Sequence, residues 1–396
     1  MRGFEKIIVP VDGTSLRVTD VKQTKGIGSV GSLSHGARGV HVMTAFAVTM
    51  QGVPLGIVGQ EMWVRDERSS MSATSRNPGH QPVYGSETEH WLNVLERARH
   101  SFWEHAPDTV ARYQLDRGAD CWQVLLYAQQ ADALATIRAN HDRKVDAELG
   151  TLWATVEREK KLCTRQIKVA KKPAFQKRVW KKPKHIKVRI PPQPARIAKV
   201  DVRACAVTLR VSSPEGLTDV SVNAVLVSEK GFVGVHRVEW MLLTTHPIDT
   251  LADVLEVVRA YGLRWRVEDF HRAWKRGVCR VEDTQLRSRE AIYKWATLLA
   301  SVATRAMRLA ERARANPDLP ASAEFSKVEL EAIVALRRPR TGANEEPSLA
   351  LAVRWVAEIG GHTGPWNGPP GAQTIGRGLH DVLVTARAFE YRDLKR

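Results

Sequence analysis

Three carboxylates stand out because of the secondary structure that their neighbours predict. Asp12 follows the apolar run EKIIVPV (5–11), which reads as a buried strand, and Asp116 follows a second short strand in ARYQLDRGAD. Glu268 lies in a stretch with helical periodicity, YGLRWRVEDFHRAWK (261–275). Magnesium prefers oxygen ligands, and two such ions can stabilise the attacking and leaving oxygens of a phosphoryl transfer. The three carboxylates therefore suggest a two-ion site for phosphodiester chemistry. For Asp12 a turn-forming Asp before Gly remains the alternative.

The helical stretch 261–275 has two contrasting faces on a helical wheel. Its apolar face can pack on a core, whereas the opposite face surrounds one carboxylate with cations and a phenol. That face consists of Tyr261, Arg264, Glu268 and Lys275. Taken alone, a solvated surface helix with the ion pairs Arg264–Glu268 and Glu268–Arg272 is the favoured interpretation. Gly262 marks a candidate break near the start of the stretch. The rest of the chain has to decide between the two interpretations.

The composition favours a polyanionic partner. The 396 residues carry 60 Lys and Arg against 43 Asp and Glu, a formal charge of +17, which points to nucleic acid before a membrane surface. No apolar run approaches the roughly 18 residues that a membrane span needs. The four cysteines are far apart and show neither zinc nor disulfide spacing, so we expect a reduced, cytoplasmic protein.

A basic region follows the second Asp segment. Sixteen Lys and Arg residues lie between 158 and 199, and Glu159 is the one acid among them. Five prolines in this region oppose helix, so we interpret it as a β-rich module whose ribbons and loops contact phosphates. A solvated cationic loop is the alternative.

The order of strands and helices predicts an α/β fold with an RNase H-like mixed-sheet catalytic core. We expect the first part of the core at 1–145, a β-rich basic insertion at 146–247, completion of the core with the Glu268 helix at 248–315, and a helical C-terminal region at 316–396. Residues 40–50 and 53–64 read as a hairpin, and residues 66–86 read as a surface loop. Apolar spacing predicts a helix from Glu87 to about Trp103 and a long amphipathic helix at 288–314.

The spacing Tyr261-x2-Arg264-x3-Glu268-x6-Lys275 resembles the Tyr-Arg-Glu-Lys signature of the DDE transposases of bacterial cut-and-paste insertion sequences. VDGTSL and LDRGAD are similar to the two Asp segments of that family, and VEWMLLTTHP to the strand before its signature helix. GHTGPWNGPPGAQTIGRG loosely resembles the family's C-terminal end.

The resemblance implies roles for specific residues. Asp12, Asp116 and Glu268 would bind two Mg²⁺ ions, for which Mn²⁺ can substitute. The residues that would contact DNA are Tyr261, Arg264, Lys275, Arg138, Trp240 and Arg272. Trp240 would stack on a base flipped out during hairpin formation, although a buried core tryptophan is the alternative.

The reaction implied is cleavage at the element's ends by way of a hairpin, followed by strand transfer into target DNA. The partners would be double-stranded DNA and a second copy of the chain, paired through the C-terminal region.

Two departures from the family's pattern affect the functional expectation. The family carries an N-terminal helical domain that binds the element's ends, yet only eleven residues precede Asp12, so we expect a truncated copy. Gly118 stands where the family has a Glu, two residues after the second Asp. A catalytically silent inhibitor that binds DNA or dimerises is therefore the alternative function, and a plain RNase H-like nuclease ranks third.

Overall fold

The computed structural model describes residues 3–31, 36–65, 87–145, 150–181, 184–213, 216–232, 236–337, 346–364, 366 and 368–393. The predicted loop at 66–86 lies outside these residues. The described strands are β1 (Lys6–Arg17), β2 (Gly28–Ser29), β3 (Arg38–Val48), β4 (Pro54–Trp63), β5 (Val110–Leu115), β6 (Ala135–Arg138), β7 (Cys163–Val169), β8 (Phe175–Lys181), β9 (Lys184–Ile190), β10 (Arg196–Ser213), β11 (Gly216–Glu229) and β12 (Glu239–Thr244).

The described α-helices are α1 (Glu87–His105), α2 (Trp122–Gln130), α3 (Leu152–Arg158), α4 (Leu251–Gly262), α5 (Trp265–Arg272), α6 (Arg289–Ala315), α7 (Lys327–Arg337), α8 (Leu349–Ile359) and α9 (Ala372–Asp393). A π-helical turn, Ala273–Gly277, continues α5. None of these helices is long and apolar enough to cross a membrane.

The chain divides into two compact units, formed by the described residues of 1–112 with 263–396 and by those of 113–262. In the first unit β3 pairs antiparallel with β1, β2 and β4. The apolar run of β1 is fully buried, which accounts for its strand conformation without strict alternation. Helix α5 packs on this sheet, where the rings of Phe270 and Phe46 stack with centroids 4.9 Å apart.

The C-terminal part of the first unit is helical. Helices α6 to α9 share one apolar cluster that includes Leu309, Ile333, Val356 and Ile375, all of them buried. Helices α8 and α9 approach so closely that a Cβ added at Gly378 would lie 1.8 Å from the carbonyl oxygen of Val356. Only glycine fits at that crossing.

The second unit contains a mixed sheet. Strand β5 pairs parallel with β6, and the order continues β6–β12–β11–β10–β7 with antiparallel pairs. Strands β8 and β9 form a separate antiparallel ribbon. The α/β class with parallel and antiparallel strands is therefore confirmed. The four predicted segment boundaries stay a prediction.

Candidate active site

Asp12 lies within β1 and not at its end. The strand continues to Arg17, because β3 pairs with it residue by residue and places Thr44 opposite Asp12. The prediction that the strand ends at Asp12 is thus wrong, since the Asp-Gly pair that suggested a turn is accommodated inside the ladder. One carboxylate oxygen of Asp12 accepts a hydrogen bond from the Gly13 amide at 2.8 Å. The other faces Arg264.

The interpretation of 261–275 as one continuous helix is also wrong, and the break lies at Gly262, the residue that the sequence marks for one. Helix α4 ends at Gly262, α5 begins at Trp265, and Arg264 occupies the position immediately before α5. Glycine favours such a break because its backbone is free to leave the helix. The apolar face predicted for the second half is observed, since Val267, Phe270 and Trp274 are all fully buried.

One guanidinium brings Asp12 and Glu268 together. Arg264 donates from Nη1 to Asp12 Oδ2 at 3.2 Å and from Nη2 to Glu268 Oε1 at 2.5 Å. Its side chain is 6% exposed, whereas those of Asp12 and Glu268 are 15% and 32% exposed. A carboxylate from a strand and a carboxylate from a helix thus bind the same guanidinium group.

Lys275 lies against the same strand. Its ammonium donates to Thr14 Oγ1 at 3.1 Å and pairs with Glu282 Oε1 at 3.6 Å. Burial lowers the pKa of Lys275, and the carboxylate of Glu282 opposes that shift. Thr14 is two residues after Asp12 in β1, so Lys275 contacts the same strand close to Asp12.

Glu282 is a residue that the sequence did not single out. It is nearly buried, and it accepts from the Arg17 amide at 2.9 Å and from Arg276 Nε at 3.1 Å. An isolated Glu in a short turn carries no periodic signal, so only the fold reveals that it ties the end of β1 to the cations after α5.

Asp116 belongs to the second unit and lies at the carboxyl end of β5, as the sequence predicts. Its side chain accepts from the Gly118 amide at 2.7 Å and caps a short 3₁₀ turn. The hydrogen bond from the Gly118 amide uses one carboxylate oxygen of Asp116. A carboxylate at the end of a strand is well placed to bind a ligand.

The other predicted DNA contacts lie in two places. In the second unit Arg138, at the end of β6, donates to the carbonyl of Glu239 at 2.7 Å. The next residue, Trp240, is half-buried against the core, and its ring meets that of Tyr261 edge-on at 5.3 Å. Tyr261 itself is 2% exposed and packs in that core.

In the first unit, Arg272 is 75% exposed and pairs with Asp269 at 2.9 Å, not with Glu268 as the surface-helix interpretation expected. The Arg264–Glu268 pair of that interpretation is present.

The basic module is exposed over much of its described length. Strand β7 and the segment after it present Arg165, Lys168, Lys171 and Lys172 to solvent. In the β8–β9 ribbon the register sets Gln176, Arg178 and Trp180 opposite Arg189, Lys187 and His185.

The residues present suit a hard metal ion in part. Asp12 and Glu268 offer the oxygen ligands that magnesium prefers, and they already hold one positive charge between them. Among the described residues, no three His, Cys, Asp or Glu side chains are grouped so that they could bind a metal. The three-carboxylate site with Asp116 stays a prediction.

The chain matches a family of known proteins over part of its length. The family model described as the transposase DDE domain matches residues 95–304, which include Asp116 and Glu268. Transposases of this kind act on DNA and generally use divalent metal ions, and the α/β architecture is consistent with their RNase H-like core. Because the matched segment makes up more than half of the chain, this protein belongs to the family of transposases with a DDE domain.

Proposed function

We propose that this chain is a DNA transposase that cuts transposon ends and joins them to target DNA by magnesium-dependent phosphoryl transfer. The observation that carries the proposal is the convergence of Asp12 and Glu268 on the guanidinium of Arg264. Two acids from distant parts of the chain are held around one positive charge, beside the half-buried Lys275 and on a chain of formal charge +17.

The proposed site consists of Asp12, Asp116 and Glu268, which would hold two Mg²⁺ ions, with Mn²⁺ as a substitute. When bound, such ions activate the attacking oxygen and stabilise charge on the leaving oxygen. In each step the attacking oxygen, of water or of a 3′-hydroxyl, forms a bond to phosphorus. The bond from phosphorus to the 3′-oxygen of the scissile link breaks, and that oxygen leaves with the electron pair and takes up a proton.

The chain's own residues supply position and charge. Strand β1 and helix α5 fix Asp12 and Glu268, and Arg264 and Lys275 would bind non-bridging phosphate oxygens next to the scissile bond. Arginine can donate to a phosphate and a carboxylate at once, because the guanidinium has five N–H donors. When the metal ions bind to Asp12 and Glu268, Arg264 would exchange hydrogen bonds to these acids for hydrogen bonds to a substrate phosphate.

For the second unit we propose that Trp240 receives a base flipped out of the duplex during hairpin formation. The ring of Trp240 is half-buried and packs edge-on against Tyr261. Arg138 donates a hydrogen bond to the carbonyl of Glu239, the residue before Trp240. A fixed aromatic surface of this kind offsets part of the few kcal/mol that extrusion costs. Tyr261 would act mainly by holding that ring.

Within the family we place the chain in the Tyr-Arg-Glu-Lys group of bacterial insertion sequences. Its string RWRVEDFHRAWKRG looks like that of the transposase of the kanamycin-resistance composite transposon. We further propose a homodimer paired through the C-terminal helices, action in the bacterial cytoplasm, and contact of the basic module with DNA phosphates.

The test is metal-dependent nicking of duplex DNA by the purified chain. Glu268→Gln should abolish nicking, because the substituted amide cannot supply the charge. Asp283→Asn is the control, because Asp283 is an exposed acid that pairs with Arg280 and has no role in the proposed site. Equal nicking by the wild type and Glu268→Gln would refute the catalytic assignment. DNA binding without nicking by the wild type would identify the silent regulator.

A further inference from the structure

A second cationic feature lies beside α5, away from Glu268. It is a cleft of about 470 Å³ between α5 with its π turn, the C-terminal third of α6 and the start of α9, all within the first unit. Its charged lining consists of Arg266, Arg272, Arg276, Arg314, Asp269 and Glu311. We propose that this arginine cleft binds the backbone phosphates of DNA, as a site additional to the carboxylates; the proposal rests on the proposed function.

The two outer arginines are available to a ligand. The side chains of Arg272 and Arg276 are 75% and 72% exposed, and each has a carboxylate partner at about 3 Å, Asp269 and Glu282 respectively. Exposed ion pairs contribute little free energy, and each guanidinium retains donors beyond those that one carboxylate uses. A phosphate can therefore bind both arginines at small cost.

The inner arginines shape the cleft. Arg266 is held by Glu311 at 3.0 Å, and Arg314 by the same carboxylate at 2.7 Å. Arg314 also donates to the carbonyl of Pro370 at 2.8 Å, which fixes the segment just before α9 to α6. Four guanidinium groups thus face two lining carboxylates, so the cleft carries a net positive charge.

The far wall reinforces that charge. Helix α9 is 22 residues long, has no acid in its first turn, and begins at the cleft. Its free N-terminal amides and its dipole therefore add positive potential in the cleft. The wall is close to the π turn, because a Cβ added at Gly376 would lie 2.4 Å from Val278 Cγ1. The cleft is therefore formed before any ligand arrives.

The placement suggests a continuous polyanion. Asp269, Arg272 and Arg276 recur at helical spacing on the cleft side of α5 and its π turn, whereas Glu268 accepts from Arg264. One helix thus presents the carboxylate site and the arginine cleft on adjacent faces. A DNA strand with its cleavable phosphate at the carboxylates would bring neighbouring phosphates to the cleft.

The test is the salt dependence of binding to a labelled duplex oligonucleotide. Each phosphate contact contributes about 0.9 to the slope of log K against log salt concentration. The double variant Arg272→Gln/Arg276→Gln should lower that slope by about 1 to 2 and weaken binding at low salt. The corresponding Lys variants, which keep the charge, should retain most of the slope.

Arg280→Gln is the control, because Arg280 is also 72% exposed and paired with an acid, Asp283, but does not line the cleft. An unchanged slope in the double variant, or an equal fall in the control, would overturn the proposal. Binding of inorganic phosphate that the double variant abolishes, with no change in the DNA slope, would assign the cleft to free phosphate and would also overturn it. If the wild type still nicks DNA in a Glu268-dependent manner, such failure concerns the cleft alone.

Discussion

The guanidinium of Arg264 occupies the place between Asp12 and Glu268 where a metal ion would need to bind. We therefore predict that Arg264→Gln raises the affinity of the DNA-free chain for Mn²⁺. Each charge-assisted hydrogen bond that Arg264 makes is worth about 1.5 to 3 kcal/mol. Glu268 is about one-third exposed, so solvent screens its bond to Arg264. In the wild type a metal ion must displace Arg264 at a cost of roughly 1.5 to 3 kcal/mol in total. The variant removes this cost, which corresponds to about 10- to 100-fold in affinity.

The same substitution has a second consequence. Asp12 is largely buried, and without Arg264 it would lack its main counter-ion, so the metal-free variant should unfold at a lower temperature than the wild type. Mn²⁺ should then raise the unfolding temperature of the variant more than that of the wild type, because binding to the folded state alone stabilises it.

Calorimetric titration with Mn²⁺ and thermal unfolding with and without the ion measure both effects. Arg266→Gln is the matched control, since Arg266 lies on the same helix but pairs with Glu311. Unchanged or weaker Mn²⁺ binding by Arg264→Gln, with no larger thermal shift, would refute the idea that Arg264 competes with the metal.

Further predictions concern packing and pH. Burial lowers the pKa of His271 from 6.5 to about 3, so the folded chain keeps it neutral while the unfolded chain gains a proton below pH 6.5. The free energy of unfolding should fall by about 2 kcal/mol from this group between pH 7 and pH 5, and urea unfolding of His271→Leu should show a correspondingly smaller fall. Gly378→Ala should destabilise the chain by roughly 1 to 3 kcal/mol, because the added methyl meets the backbone of α8, whereas Gly262→Ala has open space and should not. Glu282→Ala should cost about 2 kcal/mol in chemical denaturation through loss of its charge-assisted bonds, and the exposed Asp283→Ala should cost far less; equal costs would contradict this role of Glu282.

Local pattern predicted much of the fold. The hairpin expected at 40–50 and 53–64 is β3 and β4, and the helix expected from Glu87 is α1. These elements have apolar periodicities that arise from burial on one side or both. The long helix expected at 288–314 is α6, and the Ser288 side chain accepts from the Ala291 amide at its start.

The errors lie where long-range contacts override local signals. The Asp12-Gly13 pair suggests a turn, but β3 extends the ladder past it. A single helical wheel over 261–275 crosses the break that Gly262 indicates, and this break places Tyr261 in a core and Arg264 between two acids.

The meeting of Asp12 with Arg264 spans 252 residues. Periodicity cannot reveal such a contact. The sequence predicted that Asp12 and Glu268 share a site, but it did not predict that Arg264 joins them. Glu282 had neither kind of signal. The close approach of α8 and α9 at Gly378 was equally hidden, because a glycine inside a helix reads as a weakness until its neighbour is known.

The measurement that tests the central claim most directly is the location of the bound metal on the chain. With Fe²⁺ in place of Mg²⁺, ascorbate and peroxide cut the polypeptide next to the ion. We predict cuts near Asp12, Asp116 and Glu268, suppressed by excess Mg²⁺ and lost in Glu268→Gln. Cuts elsewhere, or cuts at Asp12 and Glu268 with none near Asp116, would contradict the three-carboxylate site.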